Sequence, residues 1–242
     1  MIRKMALWAI CLPVGFFCIT SVGQEVKQGN FSFSLYAQPY QKPKKSEKPT
    51  TGKDDPVRYL PELNYRDGKE VHSIKLLPGR QSKRLHYASQ SPLTLYRVLP
   101  ENNATEIAAV IRVEPNWEDV LFVLYPKDVA GRTYRSFPID RSLAAKTPGA
   151  GVVSNLSRET TLVEINGIKR KLSPGQVSSF RMQREGEEFT RIMVSIETDN
   201  GWTAAYSSKR YLSNNPGTTF LLSPASGNSR AKLKVVTLSP PR

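Results

Sequence analysis

Residues 162–175 read LVEINGIKRKLSPG, and two features of that stretch decide the fold. Asn166-Gly167 stands between two strand-like runs, and both residues tolerate the positive φ that a two-residue hairpin turn demands. The segment 162–172 is therefore predicted to be a tight β-hairpin. The second feature is repetition: Lys171-Leu172-Ser173-Pro174-Gly175 has a forerunner in Lys75-Leu76-Leu77-Pro78-Gly79.

Outward from these anchors the likeness continues at an offset of about 97 residues. Leu124-Tyr125-Pro126 matches Leu222-Ser223-Pro224, and Leu95–Val98 lies opposite Ile192–Ser195. The turn Glu101–Ala104 faces Thr198–Gly201, and Asp67-Gly68 corresponds to Asn166-Gly167. The chain thus contains an internal duplication, with copies at 56–145 and 149–240.

Each copy divides into short runs rich in Val, Ile, Leu, Phe, Tyr and Thr, separated by Gly, Pro, Asn and Asp. Strands are expected at 57–60, 70–77, 83–87, 92–99, 106–113, 119–125 and 132–139 in the first copy. In the second they are expected at 151–156, 160–165, 168–172, 176–182, 188–197, 202–207, 218–223 and 230–238. Beyond the N-terminal leader described next, no segment of helical length keeps a 3.6-residue apolar period. Seven or eight strands per copy imply an all-β chain of two tandem Ig-like β-sandwich modules. Gly149-Ala150-Gly151, with Pro148, reads as the hinge between them.

The N-terminus has the form of a signal peptide over 1–23. Arg3 and Lys4 precede an apolar run from Met5 to Ile19, and Ser21-Val22-Gly23 supplies small residues for cleavage before Gln24. After it, 24–55 reads as an extended segment. Phe31–Tyr36 alternates like one strand, and Gln38–Asp55 is a Pro/Lys-rich stretch with too little apolar surface to fold. Both cysteines, Cys11 and Cys18, lie in the leader, so the exported chain has no disulfide, thiolate nucleophile or Cys-based zinc site. Export, to a periplasm or the outside, leaves no membrane span once the leader is cleaved. The net charge is +14; for an exported chain the available counter-charges are anionic envelope polysaccharide or an envelope protein, and nucleic acid is not expected.

Gly151–Ser157, Val163–Gly167 and Leu172–Gln176 follow in an order that resembles uncharacterised bacterial exported β-sandwich domains. It is also loosely similar to the periplasmic accessory proteins of alginate acetylation. The resemblance covers about 30 residues of the second copy. The first copy keeps only its Leu-Pro-Gly part, with Leu60-Pro61-Glu62 where Leu156-Ser157 would stand. What it implies is a non-enzymatic envelope component; it transfers no binding residue.

Chemistry-bearing groups are few. His72 and His86 are the only histidines and flank Pro78-Gly79, so with Glu70 they would form a metal site if that turn closed a hairpin. His72, Ser73 and Asp67 supply the residue types of a nucleophile–base set, but no Gly-x-Ser-x-Gly elbow is present. Glu114, Glu118 and Asp119 flank Trp117, an arrangement that would suit sugar hydrolysis with an aromatic stacking platform. Trp202 follows the Asp199–Gly201 turn and is expected to pack over it. No phosphate loop or other cofactor motif appears. Basic residues cluster as Arg80, Lys83 and Arg84 beside His86, and as Lys169, Arg170 and Lys171 followed by Arg181 and Arg184. Period-2 geometry puts Lys169 and Lys171 on one face. Arg80, Lys83, Arg84, Lys169, Lys171 and Trp117 are the candidate binding residues. The expected role is binding or scaffolding in the cell envelope; the alternative is a secreted carbohydrate-active hydrolase with its acids near Trp117.

Overall fold

A computed structural model describes residues 30–38, 62–89, 92–99, 102–127, 132–182, 189–211, 217–225 and 233–240. The expected leader, nearly all of the Pro/Lys-rich stretch and the strand expected at 57–60 lie outside the described residues.

The first half contains β1 (Phe31–Ala37), β2 (Glu62–Asp67), β3 (Glu70–Lys75), β4 (Leu85–Tyr87), β5 (Leu93–Val98), β6 (Thr105–Ile111), β7 (Asp119–Pro126) and β8 (Tyr134–Asp140). A short helix, α1 (Ser142–Lys146), leads into the second half. That half holds β9 (Ala150–Asn155), β10 (Thr161–Ile165), β11 (Ile168–Leu172), β12 (Val177–Arg181), β13 (Thr190–Thr198), β14 (Gly201–Arg210), β15 (Thr218–Pro224) and β16 (Leu233–Leu238). The fold is all-β, as the sequence implies.

Strand order shows the duplication directly. The sheets of the first sandwich run β4-β1-β7-β8 and β3-β2-β5-β6; those of the second run β12-β9-β15-β16 and β11-β10-β13-β14. Every strand of one half has its counterpart in the other, including the parallel pairs β1–β7 and β9–β15. The hairpin predicted at Asn166-Gly167 forms with φ of 49° and 83°, joining β10 to β11 in register from Thr161–Leu172 to Ile165–Ile168. Gly79 and Gly175 share a left-handed φ, 75° and 78°, so the repeated Pro-Gly is a repeated turn.

Three expectations need correction. First, Phe31–Ala37 is no separate N-terminal extension. It is β1, hydrogen-bonded between β4 and β7, and Phe31, Phe33 and Leu35 are all buried in the core. The Pro/Lys-rich stretch therefore connects two strands of the first sandwich. Second, the counterpart of Asn155-Leu156 is Ala37-Gln38. Gly175 N–H donates to Asn155 O (2.7 Å) as Gly79 N–H does to Ala37 O (2.9 Å), and Leu156 N–H donates to Leu222 O (2.7 Å) as Gln38 N–H does to Leu124 O (3.0 Å). Third, the ladder irregularities fall between Leu95 and Tyr96 in β5 and between Val194 and Ser195 in β13. Leu95 thus matches Val194, two residues from the expected Ile192.

Asn155, whose place in the first copy is taken by Ala37, ties together the ends of strands in the second copy alone. Its Nδ2 donates to Leu172 O and Glu159 O (both 2.9 Å), and its Oδ1 accepts from Ser157 N–H (3.0 Å) and Ser157 Oγ (2.6 Å). One buried amide joins the end of β9 to the end of β11. Asn155→Ala leaves several buried groups without partners, each costing about 1–3 kcal/mol. We expect about 3 kcal/mol off the urea-unfolding free energy; a loss below about 1 kcal/mol would show that the motif is not a tie.

The two sandwiches are not beads on a string. Each has its own core: Phe33, Tyr65, Leu95 and Phe122 among others in the first, and Val163, Ile192, Phe180 and Phe220 among others in the second. A third core joins them. Tyr36, Leu121, Val123 and Ile139 of the first sandwich pack with Val152, Leu221 and Leu238 of the second, and with Ala144 of α1. The sheets containing β7 and β15 are therefore inner sheets, covered on both faces, and the molecule is a four-sheet stack. In β7, Val120, Phe122 and Leu124 face the first core while Leu121 and Val123 face the joint. Burial of these seven large apolar side chains is worth on the order of 10 kcal/mol. Burial also pushes the Tyr125 phenol, packed at this joint, up to about 12, with the Gln38 hydrogen bond opposing the shift.

The expected hinge is accordingly absent from the described residues. Gly149 O accepts from Met182 N–H (2.7 Å), and Ala150 and Gly151 already belong to β9.

Candidate functional site

Trp117 does not present a sugar-stacking face beside free acids. It packs edge-on against Phe31 (6.0 Å between centroids) and Phe122 (5.6 Å), closing one end of the first core. Each neighbouring acid has a cation. Glu118 accepts from Lys146 Nζ at 2.6 Å, and Glu114 lies 3.9 Å from Arg112 Nε. Asp119 is buried and bound to Arg141 Nη2 at 2.8 Å, with Arg84 Nη2 at 3.4 Å on its other oxygen.

That last contact removes Arg84 from the set of free binding cations. Arg141 is 1% exposed; burial lowers the pKa of its guanidinium, and Asp119 raises it again by charge and hydrogen bonding. Arg141 Nη2 also donates to Ser34 Oγ (3.2 Å). With its amide turned so that both ends are satisfied, Gln81 accepts from Arg141 Nη1 (3.2 Å) and donates to Ser239 O (3.0 Å). The network therefore reaches from the first sandwich into the segment after β16. It is a structural joint, not a reactive centre.

Arg80 and Lys83 differ from Arg84. They are exposed on the crossover from β3 to β4, and neither forms an ion pair among the described residues. In the second sandwich Lys169 pairs with Glu164 across strands (3.5 Å). Lys171 pairs with Glu197 (3.0 Å) and lies 5.5 Å from the Trp202 ring. Lys169 and Lys171 do share the outer face, but their charge is largely answered there. Arg170 turns to the sheet edge, over Phe180 and onto Ser178 Oγ at 2.8 Å.

The histidines are held apart by topology. His72 belongs to β3 and stacks on Tyr65 (4.8 Å), while His86 belongs to β4 in the opposite sheet, paired with Ser32. The Pro78-Gly79 turn crosses between sheets and closes no hairpin. Among the described residues no group of three His, Cys, Asp or Glu could hold a metal ion. Ser73 Oγ donates to Glu62, and Asp67 accepts from Ala88 N–H (3.1 Å) and from Ser89 Oγ. The three side chains His72, Ser73 and Asp67 are thus bound to different neighbours.

Sequence reasoning missed the outer sheets as surfaces. On β3-β2-β5-β6, Val71, Val98, Ile107 and Val110 are all exposed, with Ile107 directly across from Tyr96 and Val110 from Thr94. A 650 Å³ open groove adjoins them, lined by Arg66, Tyr87, Pro92, Thr94 and Tyr96 among others. The equivalent face of β11-β10-β13-β14 carries Lys169, Lys171, Glu164, Glu197, Arg191 and Lys209 instead. The copies share topology but differ on their outer faces: the first exposes Val71, Val98, Ile107 and Val110, and the second carries more charge, with Met193 and Trp202 exposed among the charged residues. Ile107 and Val110 stand three residues apart and share the outer face only because the ladder slips at Ala108, so simple alternation in the sequence carried no signal for them.

No family model matches the chain, and no curated protein matches it. Among solved structures the chain is similar to the paired C2 domains of extended synaptotagmin 2, at 9% identity and a TM-score of 0.22, over 97% of this chain and 96% of that one. A likeness that low carries no argument about function.

Proposed function

We propose that this is an exported, non-enzymatic protein of the cell envelope that acts by binding or scaffolding on an anionic polymer. The observation that carries the reading is the divergence of the two outer faces upon a duplicated frame. The inner sheets are consumed by the joint, so the outer sheets and the crossover loops are what the molecule displays. The acids beside Trp117 are taken up in ion pairs with Lys146, Arg112 and Arg141, which removes the motive for the hydrolase alternative. No helix among the described residues is long and apolar enough to cross a membrane.

Arg80 and Lys83, exposed and unneutralised within the described chain, are the cations to test; Arg84 is excluded because it holds Asp119. Cations near an anionic surface are worth about 1 kcal/mol each, so Arg80→Gln with Lys83→Gln should weaken retention on isolated anionic envelope material at low salt by about tenfold or more. Unchanged retention would remove the crossover cations from the account.

A further inference from the structure

We propose that the end of the second outer sheet carrying Phe189, Arg191, Lys209 and Tyr211 binds an acidic polysaccharide chain. This rests on the binding reading above and names a ligand class and a place for it.

The place is set by β13 and β14. Arg191 and Lys209 stand directly opposite one another in the antiparallel register. Like charges in that position repel and destabilise the pair, and neither forms an ion pair among the described residues. Nearby cations on the same face are treated differently, since Lys169 faces Glu164 and Lys171 reaches Glu197. Among the described residues of this face, the charge without an acidic partner is therefore local to this end.

Two aromatic rings share the site. Lys209 Nζ lies 4.2 Å from the centroid of the Phe189 ring, a cation–π arrangement. Phe189 meets Tyr211 edge-on at 6.2 Å. Phe189 is 38% exposed and Tyr211 74%. The backbone beneath is fixed: Asn166 Oδ1 accepts from Arg191 N–H (2.8 Å), and its Nδ2 donates to Met182 O (2.9 Å).

Paired cations beside exposed rings match a polymer that alternates carboxylates with sugar faces. A carboxylate placed between Arg191 and Lys209 would turn their repulsion into two charge-assisted hydrogen bonds, while a ring of Tyr211 or Phe189 covers the sugar. The rings lean on one another and on Lys209 at the end of a paired sheet. This favours a flat polysaccharide over insertion into lipid, which a protruding apolar loop would serve better. Residues 183–188, with Glu185, Glu187 and Glu188, adjoin the site in sequence and lie outside the described residues.

The test uses the full chain, with polygalacturonate oligosaccharide as probe and neutral dextran as control, by titration calorimetry. Arg191→Gln and Lys209→Gln should each weaken binding about tenfold. Tyr211→Ala should weaken it about threefold to tenfold, and that effect should survive added salt. Unfolding midpoints within error of the parent show that the variants fold. Three results would overturn the inference. One is unchanged affinity in all three variants. Another is loss with the charge variants but none with Tyr211→Ala, which marks simple ion exchange. The third is a variant-sensitive affinity for phosphatidylglycerol–phosphatidylcholine vesicles or single-stranded DNA in place of polygalacturonate. If the parent is retained on envelope material and these variants are too, the site is wrong and the binding reading stands. If the parent is not retained at all, both fall.

Discussion

Replacing Gly151 by alanine should cost about 3 kcal/mol or more of stability, and valine should abolish the soluble fold. Gly151 lies in β9 between β12 and β15, paired with Phe180 on one side and Thr218 on the other. A Cβ there would collide with the Thr218 carbonyl oxygen and stand 2.8 Å from Met182 Cε. The methionine can move, but the carbonyl belongs to a parallel ladder and cannot. In the other copy β1 carries Phe33 at this place, buried against Tyr65 and Phe122. Met182 fills in the second core what Phe33 fills in the first. The control is Gly201→Ala, where φ is +96° but nothing lies within 4 Å; it should cost only the backbone strain, about 1–2 kcal/mol. Equal losses for the two variants would show that close approach is not the constraint at Gly151.

The second large effect is expected at Arg141. Arg141→Met removes the 2.8 Å partner of a buried carboxylate and leaves Asp119 with Arg84 alone, half-exposed and 3.4 Å away. Breaking one side of a buried pair costs about 3–5 kcal/mol, whereas replacing both sides by apolar groups of similar volume is often neutral. The urea-unfolding free energy should therefore fall by about that amount in Arg141→Met and return most of the way in Arg141→Met with Asp119→Leu. A single variant within about 1 kcal/mol of the parent would mean the network holds nothing together.

Most of the fold was legible locally. The Asn166-Gly167 turn, the repeated Pro-Gly and all eight strands of the second copy follow from turn chemistry and period-2 alternation. β2 was missed because its alternation rests on only two inward apolar residues, Leu63 and Tyr65, among Glu62, Asn64, Arg66 and Asp67. The two-residue slip between β5 and β13 went unnoticed for a related reason: a shift of two restores the same face. β1 was set apart because a long polar stretch separates it in sequence from its counterpart's pattern, though not in space from β7.

The joint between the sandwiches was also written in the sequence, in a form that alternation hides. Val120–Leu124 and Phe220–Leu222 are apolar at every position, which is what a strand covered on both faces requires. The candidate sites were less legible, because charge clusters along the chain do not report partners across it. Arg84 meets Asp119 and Lys171 meets Glu197 from distant segments, while Arg191 and Lys209, on consecutive strands, stand opposite one another only through the β13–β14 register.

The central claim is that two copies of one eight-strand sandwich share a third core and behave as one body. Differential scanning calorimetry on residues 24–242 tests it most directly. One transition, with calorimetric and van't Hoff enthalpies equal, is the predicted result. Two resolved transitions, with Leu221→Ala in the joint leaving both unmoved, would contradict it.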